Sequence, residues 1–189
     1  MSIELIETIT FSGIIKVHEW PGDWTIEDII YWTLPETDRD GKIIRPARMS
    51  AREIERYQVR EYRNALTTAG RNALLSFAGS QNATTLGWSQ YLAIGTGSLN
   101  VVGAGDTILV GELYRQVPNS AAITGNQIDI ATIIGTNTAA GTWTEYGLFG
   151  KNATATANSG EMHTHALANP SYTKVNGTPV TIDYLPQLT

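Results

Sequence analysis

Between Gln81 and Gly150 the chain has only five charged side chains: Asp106, Glu112, Arg115, Asp129 and Glu145. Charges so sparse, set among apolar residues, are expected to be paired or to cap a turn, since a buried charge left alone costs several kcal/mol. The same region is rich in Gly, Thr and Asn, and from Trp88 onward its apolar runs are short. Gln90–Gly95, Leu109–Val117, Gln127–Ile134, Trp143–Phe149, Glu161–Leu167 and Val180–Leu185 each end in Gly, Asn, Ser or Pro clusters. That spacing predicts the strands of an antiparallel β-sandwich. Thr124-Gly125-Asn126-Gln127 is the clearest hairpin turn. The Ala/Thr/Asn-rich stretch 151–160 reads as an exposed loop.

Charge is distributed unevenly along the 189 residues. Nine of the 13 Lys and Arg and 12 of the 18 Asp and Glu precede Asn64. This contrast predicts two parts, a charged N-terminal arm or docking segment over 1–65 and a helix plus β-sandwich over 66–189. The net charge of −5 gives no overall electrostatic support for nucleic-acid binding. The chain has no cysteine, which excludes disulfides, thiol catalysis and cysteine-ligated metal. No apolar run is long enough to span a bilayer, and the acidic start Met1-Ser2-Ile3-Glu4 lacks a signal-peptide pattern. Cytoplasmic synthesis follows, with no membrane partner.

Within the arm, Ile3–Val17 is β-branched and partly alternating, as strands are. Trp20-Pro21-Gly22-Asp23-Trp24 is a turn. Thr25 with Asp28 forms a weak capping box for a short helix whose Ile26, Ile29 and Ile30 share a face. Leu34–Pro46 reads as loop. Ser50 with Glu53 is a fuller capping box, predicting a helix to about Arg63 with a thin apolar stripe of Ile54 and Tyr57. Trp20, Trp24, Trp32 and Tyr57 are candidate interface anchors, because aromatic residues dominate binding hot spots; stacking on a sugar is the alternative. Beyond the arm, Thr67 or Thr68 caps a helix over Ala69–Ala78, stopped by Gly79, with Ala73, Leu74 and Phe77 along its buried side.

The charged residues themselves suggest little chemistry. Gly95-Thr96-Gly97 lacks the Lys-Ser/Thr and the following helix of a phosphate loop. In a regular strand Glu112 and Arg115 would face opposite sides, so Asp106 is expected to cap its turn and Glu112 or Arg115 to pair with a neighbour such as Glu145. A glycosidase would need two carboxylates close together, and Glu112 with Glu145 is the only pair worth testing. His163 and His165 lie two apart, on one side of a strand, and are the sharpest metal candidates. Solvated strand histidines need no ligand, however, so no metal and no cofactor is expected. His18 reads as isolated. The Asn82-Ala83-Thr84 and Asn152-Ala153-Thr154 sequons are chance in so Asn/Thr-rich a chain.

Four motifs occur in order: Ala69-Gly70-Arg71-Asn72-Ala73-Leu74, then Tyr91-Leu92-Ala93-Ile94-Gly95-Thr96-Gly97, then Asp106-Thr107-Ile108-Leu109-Val110-Gly111-Glu112-Leu113-Tyr114-Arg115, then Trp143-Thr144-Glu145-Tyr146-Gly147-Leu148-Phe149. With a strand ending in Lys174 and another over Val180–Tyr184, this order resembles a class of bacteriophage virion structural proteins encoded among tail, baseplate and tail-fibre genes. The resemblance covers roughly residues 66–185. It implies assembly by contact with other virion proteins, a homo-oligomer in a symmetric ring or trimer, location in the virion and no catalytic residues. A head–neck or capsid decoration protein and a carbohydrate-binding receptor module remain the alternatives.

Overall fold

The computed structural model describes residues 11–37, 43–79, 90–97, 102–124 and 127–188. Ile3, Asn82, Trp88, the Gly125-Asn126 turn and the side chains of Leu74 and Phe77 lie outside the described residues. Among the described residues eleven strands and three helices follow one another as β1 (Phe11–Glu19), α1 (Ile26–Thr33), β2 (Glu36–Thr37), β3 (Ile43–Arg45), α2 (Ala51–Glu55), β4 (Gln58–Leu66), α3 (Thr68–Gly79), β5 (Tyr91–Gly95), β6 (Glu112–Gln116), β7 (Ser120–Thr124), β8 (Gln127–Ile134), β9 (Gly141–Gly150), β10 (Glu161–Lys174) and β11 (Val180–Leu188). The expectation of a mainly antiparallel β fold holds. Nine strands form one curled sheet in the order β6-β5-β9-β10-β4-β1-β11-β8-β7, and β2 and β3 form a separate ribbon.

Strand β4 is the hinge of this sheet. Its first part pairs with β1, from His18↔Gln58 to Ile14↔Arg63, and its last three residues pair with β10, Ala166↔Asn64 to Thr164↔Leu66. The sheet thereby folds over itself like a sandwich. The main core lies between the two halves: Ile15, Val17, Ile130, Ile182 and Tyr184 on one side meet Leu92, Ile94, Tyr146, Leu148 and Ala166 on the other. Aromatic contacts cross the gap, with the Tyr62 and Tyr146 rings 5.5 Å apart. The Tyr184 hydroxyl donates to Thr164 Oγ1 and accepts from Asn64 Nδ2 at 2.8 Å. Such pairings satisfy polar tips inside an otherwise apolar core.

The predicted division at residue 65 does not survive this pairing. Strands β1 and β4 stand in the middle of the sheet, between β11 and β10. Their charges misled because averaging over the segment hid an alternation. Ile15, Val17 and Tyr62 are buried, while the charge of Arg60, Glu61 and Arg63 is exposed. The helix expected to reach Arg63 ends at Glu55. Ser50 and Glu53 do form the capping box, but no apolar stripe continues it, and pairing with β1 claims the chain from Gln58. Helix α1 starts at Thr25 through its own box with Asp28. It buries Ile29 against the sheet, and Ile30 turns outward.

Each half of the sheet also has a covered outer face. Over β1, β8 and β11 lie α1 and α2, with Trp20, Ile29 and Ile133 buried and Trp24, Ile26, Leu34, Ile54 and Tyr57 packed on them. Over β5, β9 and β10, Ala93, Leu109, Phe149 and Met162 form a smaller cluster beneath the segments before β6 and after β9. Helix α3 seats directly on β10. Thr67 donates to the carbonyls of Met162 and His163, and its hydroxyl accepts from Gly70 N at 3.0 Å. A Cβ on Gly70 would stand 2.0 Å from the His163 carbonyl oxygen, so this close approach requires glycine. Among the described residues no helix is long and apolar enough to cross a membrane.

Candidate functional site

Four of the five sparse charges, Asp106, Glu112, Arg115 and Glu145, gather with His165 on the outer face of β5, β9 and β10, in two separate groups. Alternation brings them there: Leu92, Ile94 and Tyr146 point into the core, so Ala93, Gly95 and Glu145 point away. The first group is Glu112 with Arg115. Their side chains are only 2% and 3% exposed. Arg115 Nε and Nη2 donate to the two Glu112 oxygens at 2.5 and 2.7 Å, and Nη1 donates to Thr154 O, Ser159 O and Ser159 Oγ at 3.0 to 3.1 Å. The guanidinium lies 4.5 Å over the Phe149 ring. Asn158 N donates to the other side of Glu112 at 2.8 Å.

This pairing corrects the expectation that strand geometry separates Glu112 from Arg115. Ile94 faces Tyr114 but Gly95 faces Glu112, so Leu113 is an extra residue on β6. Such a bulge re-aims the side chain that precedes it. The stretch 151–160, expected as an exposed loop, supplies three of the partners. Its Thr154, Asn158 and Ser159 close over the ion pair, and Asn158 holds the backbone of Leu109 as well, at 3.0 and 3.2 Å.

The second group is Asp106, His165 and Glu145. His165 is fully buried, with Nδ1 2.6 Å from Asp106 Oδ2 and Nε2 3.2 Å from Glu145 Oε2. Burial alone would push the imidazole down, but its hydrogen bonds to Glu145 and Asp106 outweigh burial and hold its pKa above the ordinary value. Burial likewise works to raise Glu145, and is outweighed by His165 and by the amides of Gly111, Val110 and Gly97, so its pKa is lowered. Asp106 follows the same pattern: burial is overcome by the Gly103 amide and His165. Each ring nitrogen thus faces a carboxylate oxygen, an arrangement that favours the protonated imidazole.

The glycines of the Gly95-Thr96-Gly97 run exist to admit Glu145. A Cβ on Gly97 would stand 2.3 Å from Glu145 Oε1, and one on Gly95 2.6 Å from its Cγ. In that space Glu145 Oε1 accepts from Gly97 N and Gly111 N, each at 3.0 Å. Asp106 caps its own turn, as expected, taking Gly103 N at 2.8 Å. Glu145 pairs with His165 rather than with Arg115, so the expected partnership of the charge block is redistributed.

Neither histidine lies on a solvated strand; His163 is 1% exposed. The β9–β10 register slips at His163, where Met162 faces Phe149 and Thr164 faces Leu148. The regular two-residue alternation assumed for a metal pair is thus broken, and both His165 nitrogens are engaged. Among the described residues no group of three His, Cys, Asp or Glu is placed to hold a metal. The Glu112 and Glu145 carboxylates are each committed to a cation and to backbone amides, an arrangement suited to locking loops rather than to passing protons.

On the other outer face, alternation places Lys16 and His18 of β1, Asp129 of β8 and Asp183 of β11 together beneath α1 and α2. They line a cavity of about 170 Å³ with Trp20, Leu34, Ile54 and Glu55. His18 is not isolated: it is buried, its Nε2 3.1 Å from Asp183 Oδ2 and its Nδ1 3.3 Å from Ile54 O. Burial and then Asp183 push Asp129 up to about 7. The signal for this cluster was present in the polar positions of the alternating strands, Lys16-Val17-His18 and Ile182-Asp183-Tyr184, but not their adjacency.

The aromatic candidates divide. Trp20 is buried, stacks on Trp24 with centroids 5.5 Å apart and donates from Nε1 to Thr181 Oγ1 at 2.8 Å. Tyr57 packs 4.7 Å from Trp20. These three hold the helical cover to the sheet rather than offering anchors to a partner. Trp32 does face outward, with Tyr31, Ile30 and Ile44. Compared with known proteins, the chain matches no family model, no curated protein and no solved structure.

Proposed function

We propose that this protein is a structural component of a phage virion, acting in tail, baseplate or tail-fibre attachment by protein–protein contact. One observation carries the reading. The polar chemistry of the motif-bearing half is turned inward, while large apolar side chains are turned out. Glu112, Arg115, Asp106, Glu145 and His165 are all engaged within the chain. Ile30, Tyr31, Trp32 and Ile44 stay exposed on α1 and β3, beside a groove bordered by Glu27, Glu36, Arg45 and Arg48. An apolar centre with a charged rim is the usual anatomy of a protein interface.

The order of the four motifs supports the same reading, because residues from three of them build the two buried groups. Attachment at the head–neck or on the capsid would use the same surface at another place in the particle. A sugar platform has less behind it, since Trp20, Trp24 and Tyr57 stack on one another. The test is to purify particles of the encoding phage and locate this chain by a labelled antibody. We expect it on the tail or baseplate, and expect a Trp32→Glu, Ile44→Glu double variant to fold but to be absent from particles. Recovery of the wild-type chain only outside particles, or release of sugar ends from host polysaccharide that Glu145→Gln abolishes, would overturn the proposal.

A further inference from the structure

Strand β6 is at one edge of the nine-stranded sheet, and among the described residues it pairs with β5 alone. Among the described residues no strand takes its outer backbone N–H and C=O groups, and an edge of that kind is a template for another strand. Soluble proteins usually guard such an edge with outward charge. Here the two charges of β6 are withdrawn into their own ion pair, and no other charged residue lies between Thr107 and Ile128. The same run leaves large apolar side chains in solvent: Ile108, Val110, Leu113 and Val117 are 43 to 56% exposed.

We infer that β6 pairs antiparallel with β6 of a second copy of this chain, about a two-fold axis. The choice of a second copy rests on charge and on the backbone. An antiparallel edge is complementary to itself, because a two-fold sets each N–H opposite a C=O. A chain of net charge −5 repels its own copies, and this neutral run is where two copies approach at least electrostatic cost. The bulge at Leu113 and Pro118 beyond the strand restrict the ladder to a few residues. The four apolar side chains supply only part of the roughly 800 Å² per partner that a stable pair buries. The pair is therefore of modest strength in solution and gains when several copies are held on one particle.

This pairing extends the assembly reading but is tested apart from it. The full chain would be followed by sedimentation equilibrium up to about 100 μM, a range that reads micromolar dissociation constants. We expect a reversible dimer, weakened at least tenfold in a Leu113→Lys, Val117→Lys double variant with an unchanged melting temperature. Should that variant not fold, Val110→Lys, outside the strand, serves in its place. Hydrogen exchange of the wild-type chain provides the second measurement: amides of 112–117 should slow as concentration rises. A wild-type monomer throughout, an undiminished dimer in the charged variants, or exchange at β6 indifferent to concentration would overturn the pairing. A monomer found in particles would remove this inference alone; a dimer never found in particles would remove the virion reading alone.

Discussion

Arg115 reaches five acceptors, two on Glu112 and three on the segment 154–159. Removing one partner of such a buried pair leaves the other charge unpaired, which costs about 3–5 kcal/mol. Arg115→Ala should lower the unfolding free energy in urea by that amount. Arg115→Lys should recover only part, since an ammonium cannot reproduce the two-pronged contact. His165 and Asp129 make stability depend on pH in the same direction. The folded pKa of His165 is raised, so its contribution is complete below about 6.5, the ordinary value, and is lost as pH rises through the folded value. Asp129 is raised to about 7, so its protonated form stabilises fully below about 3.9 and that support is lost as pH rises to about 7. Unfolding free energy should therefore fall as pH rises to about 7 through Asp129, and fall further above about 6.5 as His165 loses its proton. Asp129→Asn should flatten the part of the curve below 7, and His165→Gln the part above 6.5. A wild-type curve that rises across this range would contradict both assignments.

The elements depend on close approaches that leave no room for a Cβ. Gly97 sits against Glu145 and Gly70 against the His163 carbonyl, whereas a Cβ on Gly105 would meet nothing within 4 Å. Gly97→Ala and Gly70→Ala should each cost more than about 2 kcal/mol, as overpacking does, while Gly105→Ala should stay within about 0.5 kcal/mol. Melting temperatures of the three variants would separate them. These contacts also explain what could be read from the chain beforehand. The strands around Gln127–Ile134 and Trp143–Phe149 and the capped starts at Thr25, Ser50 and Thr67 rest on neighbours in sequence, and local patterns report them. The end of α2 at Glu55 and the strand after it depend on β1 and β10, which no local pattern contains. The charge block was legible as a set of residues that must be paired, but its pairing was not. The Leu113 bulge decides Glu112, and the register of β10 beside β9 decides which cation meets Glu145.

At the scale of the whole molecule, β4 joins the two halves of the sheet and β1 stands beside it. Deleting residues 1–60 removes β1 and the start of β4, opening the core at Ile15 and Val17. The truncated chain should show no cooperative thermal transition and should disperse poorly in its amide proton spectrum; a folded, cooperative remainder would mean that the central strands are dispensable. The pairing of β1 with β11 runs from Glu19↔Val180 to Phe11↔Leu188, so β1 meets this neighbour only after roughly 160 further residues have left the ribosome. At about 5–20 residues per second that wait lasts roughly ten to thirty seconds. During it β1 has no β11 to lie against, and the β11 side of the sheet stays open until residues 180–188 have been made.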